Sequence, residues 1–374
     1  MKKLLFFFCF TVCSLRVSGQ LRNDSLEYRI RPDYYRTGSL YLSVNNFNFL
    51  RNYEFYNKFQ DGYTLYGTQL SPQLAYYANP ELVLTAGALL QKDFGSEGIS
   101  KTYPLFSVKY QKGNTALIAG ALEANVNHRL IEPLYDFEKT VNDPVEYGTQ
   151  LVISKPALFL DAFINWKRMI YKPSPVQEQI VAGLSSDVRL AAGKRITFSV
   201  PLQLTAFHQG GQIDTMARPL QTIVNSAAGV KLTLKSNGFV GSWRTENYFV
   251  TYNELSPVKI RPFSRGTGAY LNLGADTRLG TVLASYWNGQ GFIAINGMPI
   301  YQSLSQQINH PGYSEKHREL LFLRYAFQKD LTQNFRLDFR VEPVFDLGPG
   351  GKAEFYHSLF LVYRQDFRMV RSNQ

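Results

Sequence analysis

The sequence predicts an all-β fold, an antiparallel up-and-down transmembrane β-barrel of about sixteen strands, with about fourteen as the lower bound. Three observations lead there. Segments that alternate apolar and polar residues recur along the chain, the connections between them are short and long by turns, and the chain opens on an export signal.

The first nineteen residues, MKKLLFFFCFTVCSLRVSG, begin with Lys2 and Lys3 and continue through an apolar stretch from Leu4 to Val12. With the small residues Val17 and Gly19 behind it, this is the layout of a secretory signal cut before Gln20. The run is too short to span a bilayer and is broken by Ser14 and Arg16. Cys9 and Cys13 both lie inside the signal, so residues 20–374 are expected to form one barrel domain without disulfides. Removing Lys2, Lys3 and Arg16 takes the formal charge from +11 to 11 − 3 = +8. No block of about five like charges follows, which weakens a nucleic-acid reading, and no nucleic-acid partner is expected.

Beyond the signal no apolar run reaches the length of a membrane helix, about eighteen residues. Alternation replaces it. Candidate strands fall at about 38–45, 62–78, 81–92, 103–111, 114–125, 146–154, 157–168 and 178–191 in the first half. They continue at about 194–208, 223–235, 239–252, 267–277, 281–287, 318–328, 334–345 and 354–367. Leu158, Leu160, Ala162, Ile164 and Trp166 share one face of their strand, and Ile196, Phe198, Val200, Leu202 and Leu204 share one face of theirs. In the strand at 334–345, Arg336, Asp338, Arg340 and Glu342 alternate with apolar residues from Phe335 on. Pro343 fits near the end of that ladder, where a missing N–H is tolerated.

Short turns at Asn79 and Pro80, Lys112 to Asn114, Lys155 and Pro156, Ala192 and Gly193, Ser236 to Gly238, Arg278 to Gly280 and Lys329 to Gln333 take turns with long connections. A barrel with short periplasmic turns and long extracellular loops is built this way, whereas a Greek-key sandwich mixes the lengths at both ends. The longest connections, 288–317 and 126–145, are expected to constrict or cap the barrel in the first case and to be a solvated surface loop in the second.

Tyr (24) and Phe (27) far outnumber Trp (3), and strand parity sorts many of them onto the apolar face. Tyr76, Tyr110, Phe239, Phe327 and Phe335 fall beside short turns; Tyr66, Trp166, Phe249, Tyr286 and Phe345 fall near long loops. Two such belts are the interface girdles of a membrane barrel. The opposite face places Arg244, Arg318, Arg324, Arg336, Asp338, Arg340, Glu342 and Arg364 in the lumen, where charges either tune solute preference or pair across strands.

The aromatic last strand, FYHSLFLVYRQDF, resembles the closing strand of Gram-negative outer-membrane barrels, and the chain as a whole, especially NKFQDGYTLYGTQLSPQLAYY at 57–77, resembles the Tyr- and Phe-rich porin-like barrels of Bacteroidetes. The tail MVRSNQ departs from the terminal Phe usual in outer-membrane barrels. The resemblance implies the outer membrane of a Gram-negative bacterium, contact with its lipids, and the periplasmic barrel-assembly machinery as a partner in biogenesis.

A porin-like channel for passive or weakly selective diffusion of small hydrophilic solutes, anionic or sugar-like, is the function expected of such a lumen, without a cofactor. The alternative is a non-conducting structural or partner-binding barrel in a secretion or surface-polysaccharide assembly. Enzymatic activity is not expected. His128, His208, His310, His317 and His357 show no spacing that pairs them with a nucleophile, and neither an H-E-x-x-H motif nor a cysteine pair offers a metal site. A membrane-barrel lipase would need a Ser and a His in hydrogen-bond reach at the outer rim, and a barrel protease would need acidic and His groups there.

Overall fold

The computed structural model describes residues 21, 23, 26–348 and 351–370; the signal at 1–19, with Cys9 and Cys13, and the end of the tail at 371–374 lie outside the described residues. Sixteen strands form one closed sheet. They are β1 (Leu40–Glu54), β2 (Thr64–Asn79), β3 (Leu82–Asp93), β4 (Lys101–Lys112), β5 (Thr115–Ala121), β6 (Tyr147–Lys155), β7 (Leu158–Arg168) and β8 (Gln179–Ala192). The second half is β9 (Ile196–Gln209), β10 (Gln221–Lys235), β11 (Val240–Glu254), β12 (Arg265–Thr277), β13 (Gly280–Gln290), β14 (His317–Asp330), β15 (Phe335–Asp346) and β16 (Ala353–Val370). Each pairs antiparallel with its neighbours in sequence. β1 closes on β16, from Leu40 opposite Val370 to Glu54 opposite Phe355. Closure leaves no unpaired edge, which a backbone in hydrocarbon requires.

The expected meander is thus the observed one, with two local differences. β1 runs to Glu54 rather than stopping near 45, because Phe47, Phe49, Arg51 and Tyr53 continue its inward face while Asn46, Asn48 and Asn52 interrupt the outward apolar pattern. β5 ends at Ala121 rather than 125: Gly120, at φ +102°, bends the chain where a side chain would stand 2.2 Å from the Phe106 carbonyl oxygen.

Long connections, numbered L1 to L8 along the chain, gather at one rim and the short turns at the other. The outward faces are apolar. Leu323, in the middle of β14, is exposed there beside Leu321. Leu323→Arg is expected to cost about 2–4 kcal/mol, the penalty for a cation on the lipid face near the bilayer midplane. The measurement is the urea midpoint of the barrel refolded in vesicles; an unchanged midpoint would mean that this wall does not meet lipid.

Candidate functional site

The inward faces do not line an open channel. L3 (122–146) and L7 (291–316) fold into the barrel and build a core with the strands. His128, Ile131 and Leu134 of L3 and Phe292, Ala294 and Tyr301 of L7 are completely buried. L3 is therefore not the solvated surface loop expected from its charged residues. The two loops are joined by backbone bonds, Met298 N–H to Glu132 O at 3.0 Å and Asp136 N–H to Asn296 O at 2.7 Å. Gly297 permits this closeness, since a Cβ there would lie 2.0 Å from the Pro133 carbonyl oxygen.

The wall holds this plug with polar side chains. Gln203 of β9 accepts from Ile131 N–H at 2.8 Å and donates to Arg129 O at 3.0 Å; Asn225 of β10 donates to Ile293 O at 2.7 Å. Arg324 of β14 donates to Glu132 at 2.6 Å and to the hydroxyls of Tyr301, Tyr356 and Tyr270 at 3.0, 3.3 and 3.3 Å. Its Nε also lies 3.2 Å from Glu342.

The predicted lumen residues all carry inward parity, but six of the eight are sealed from water. Arg244, Arg318, Arg324, Asp338, Arg340 and Glu342 are at most 2% exposed. Arg340 binds Asp338 on its own strand at 2.8 and 2.9 Å, and Arg318 binds Asp346 at 2.8 Å while its guanidinium covers the Phe59 ring. Arg244 lies 3.4 Å from Asp276. Arg336 and Arg364 are half-buried toward the short-turn rim, on Asp330 and Asn45. Arg51, buried against Phe137 and Tyr356, belongs to the same wall, on the part of β1 that lies beyond the expected strand end near 45. Of the belt residues, Tyr66, Tyr76, Tyr110, Trp166, Phe239 and Phe249 are exposed on the outer face, and Tyr286, Phe327, Phe335 and Phe345 are half-buried on it.

His128 pins L3 to the wall. Its Nδ1 is 3.3 Å from Asp161 of β7, its Nε2 is 3.1 Å from Glu146, and its ring stacks on Phe163 at 3.7 Å. Burial pushes the imidazole down, but Glu146 and Asp161 outweigh it and hold the pKa up at about 10. A buried cation between two carboxylates is a structural pair, not a general base. Because the folded value exceeds the unfolded value of about 6.5, this contribution is complete below the unfolded value and disappears as pH rises through about 10. The urea midpoint of the wild type is expected to exceed that of His128→Gln at pH 6 and to converge on it above pH 10. A constant gap would refute the assignment.

The lipid-facing wall carries the remaining chemistry. His208, His317 and His357 all have outward parity at the long-loop end of their strands. His208 Nδ1 is 2.9 Å from the Thr222 hydroxyl, and His357 stacks on Phe355 opposite Asn52. His317 has the fullest set of partners. Glu319, two residues along the same face, is 3.7 Å from its Nε2, and Gln290 of β13 is 2.9 Å from its Nδ1. Tyr286 donates to Glu319 at 2.6 Å, and Asn288 donates to Tyr286 at 3.4 Å. The group extends from Gln290 to Tyr286, about 13 Å along β13 at the rise of a strand. It starts at the outer rim and descends beside Leu321. The signal for it was present in the sequence as His-x-Glu on one strand face; five scattered histidines hid it, since their partners lie on a neighbouring strand.

Among solved structures, the outer membrane protein OprD of Pseudomonas aeruginosa aligns with a TM-score of 0.53 at 11% identity, covering 90% of this chain and 96% of that one. A loop L8 deletion mutant of OmpT, an outer membrane protein of Vibrio cholerae, aligns with a TM-score of 0.50 at 11% identity, covering 87% and 98%. At such identity these similarities show the fold alone, a closed barrel of the kind found in outer-membrane proteins. No curated protein matches the chain. A family model described as Lipid A 3'-O-deacylase-type matches residues 30–372. That description names an enzyme and overturns the expectation of a barrel without enzymatic activity. Since the match starts ahead of β1 and extends past the end of β16, taking in the sealed lumen and the histidine-bearing outer wall together, the chain belongs to the lipid A 3'-O-deacylase-type family.

Proposed function

We propose that the protein hydrolyses an acyl ester of a membrane lipid of the lipid A type at the outer wall of β13 and β14. The observation that carries this reading is the group of His317, Glu319, Gln290, Tyr286 and Asn288 on the outward face at the long-loop end of β13 and β14, which in a membrane barrel falls near the interface. Lipid esters lie at that depth. Leu321 and Leu323 continue the same face into the apolar band and offer a bed for the acyl chain.

His317 takes a proton from water as the water oxygen attacks the ester carbonyl carbon. Glu319, on the other ring nitrogen, orients the imidazole and stabilises its charge. The side-chain amides of Gln290 and Asn288 provide donors for the oxygen that becomes negative. The carbonyl–alkoxy bond then breaks, the proton passes from His317 to the departing alcohol oxygen, and the products are a carboxylic acid and a deacylated sugar lipid. Gln290 must swing away from Nδ1 for water to reach it, and the movement frees its amide for the carbonyl oxygen.

Purified protein in detergent micelles with hexa-acylated lipid A tests the reading: mass spectrometry should find a lipid lighter by one acyl group and a stoichiometric free fatty acid. Intact lipid A after prolonged incubation with folded barrel would reject it.

Passage of small hydrophilic solutes is a second reading, supported by a water-accessible chamber below L3. It requires L3 and L7 to leave the lumen together, and a steady single-channel current in planar bilayers is its test.

A further inference from the structure

Below L3 the lumen holds a chamber of about 720 Å³. Its ceiling is formed by Arg129, Leu130 and Glu132, and its walls by β7 to β11; the lining continues to Lys155, Gly193 and Lys235 at the short-turn rim. L3 closes the upper end, so a solute entering from the periplasmic side meets a dead end. The volume is that of a small-molecule site.

Charges in the chamber are unequally satisfied. Glu27 holds Arg129 at 2.8 and 3.0 Å, Lys231 lies 2.8 Å from Glu246 and 3.0 Å from Asp187, and Glu132 is taken up by Arg324. Arg189 and Lys235 face the chamber with no carboxylate partner among the described residues. Arg189, Ser199 and Lys231 are directly opposed across β8, β9 and β10, with Thr197 opposite Thr233 in a neighbouring row. A guanidinium and an ammonium above hydroxyl-bearing walls suit an anion that also accepts hydrogen bonds. Lys155, Lys194 and Arg195 on the adjoining turns are exposed, with no acid in those turns, and concentrate anions at the entrance.

We infer that this chamber is a binding site for a small anionic molecule bearing a phosphate or carboxylate group, entered from the periplasmic side, with Arg189 and Lys235 as its anion contacts. The site is on the opposite face of the wall from His317 and does not depend on ester hydrolysis. Isothermal titration calorimetry of the full-length mature barrel in neutral detergent, with inorganic pyrophosphate and citrate as probes, tests it. Saturable binding of either probe is expected, pyrophosphate alone marking a phosphate site and citrate alone a carboxylate site. The pair of substitutions R189E and K235E should weaken binding at least about tenfold, as expected for loss of charge-assisted contacts. The pair K172E and R265E, exposed at the opposite, long-loop rim and outside the chamber, should change it far less. No saturable heat from either probe, or equal weakening by both pairs, would overturn the inference. Heat-modifiable gel migration establishes that each variant is folded.

Discussion

Alanine at His317 is expected to lower the rate of acyl release by about 10²–10⁴-fold, the range for loss of a positioned general base. The barrel itself should be indifferent, because the side chain is on the outer rim and its hydrogen bond to Gln290 is exposed. Folding in vesicles and heat-modifiable migration are therefore the controls. Glu319→Gln should give a smaller loss, since Glu319 acts by holding the imidazole in place. Alanine at His208 or His357 should leave the rate within about twofold, because neither has a carboxylate within salt-bridge distance among the described residues. If His357→Ala abolishes activity and His317→Ala does not, the reaction belongs to the β16–β1 wall.

The largest stability effect is expected at Arg324. Its guanidinium is buried with Glu132 and Glu342, and alanine would leave both carboxylates facing it without their main counter-charge. Breaking a buried pair by removing one partner costs about 3–5 kcal/mol. The urea midpoint in vesicles should fall accordingly, and L3 should become cleavable by protease. Replacing Arg324, Glu132 and Glu342 together with Met or Leu should restore much of the midpoint, since an apolar substitute leaves no orphaned charge. An alanine variant with wild-type stability would mean that the pair is solvated in the folded barrel.

Sequence alone carried most of this architecture because a barrel strand states its own parity. Where apolar and charged residues alternate, as from Phe335 to Glu342, the inward and outward faces follow directly. The rule weakens where both faces are mixed. Asn46 and Asn48 point outward on β1, with Asn46 donating to Thr68 and Asn48 to Asn46, so hydropathy signals an ending where the hydrogen-bonded strand continues. Loops carry no parity at all. The charges of L3 read as solvation, yet Glu146 and His128 are buried and Glu132 is half-buried, because partners from β7, β14 and L3 itself await them. His317 and Gln290 are 27 positions apart and meet only once β13 pairs with β14.

The bond between L3 and L7 has a consequence for the cell. A membrane crowded with open barrels leaks in proportion to their number, whereas each copy of this protein carries its own stopper, folded from the same chain and fixed through Met298, Asp136 and Gln203. Abundance is thereby uncoupled from permeability: with L3 and L7 in place, further copies add outer wall to a membrane without adding an open pore.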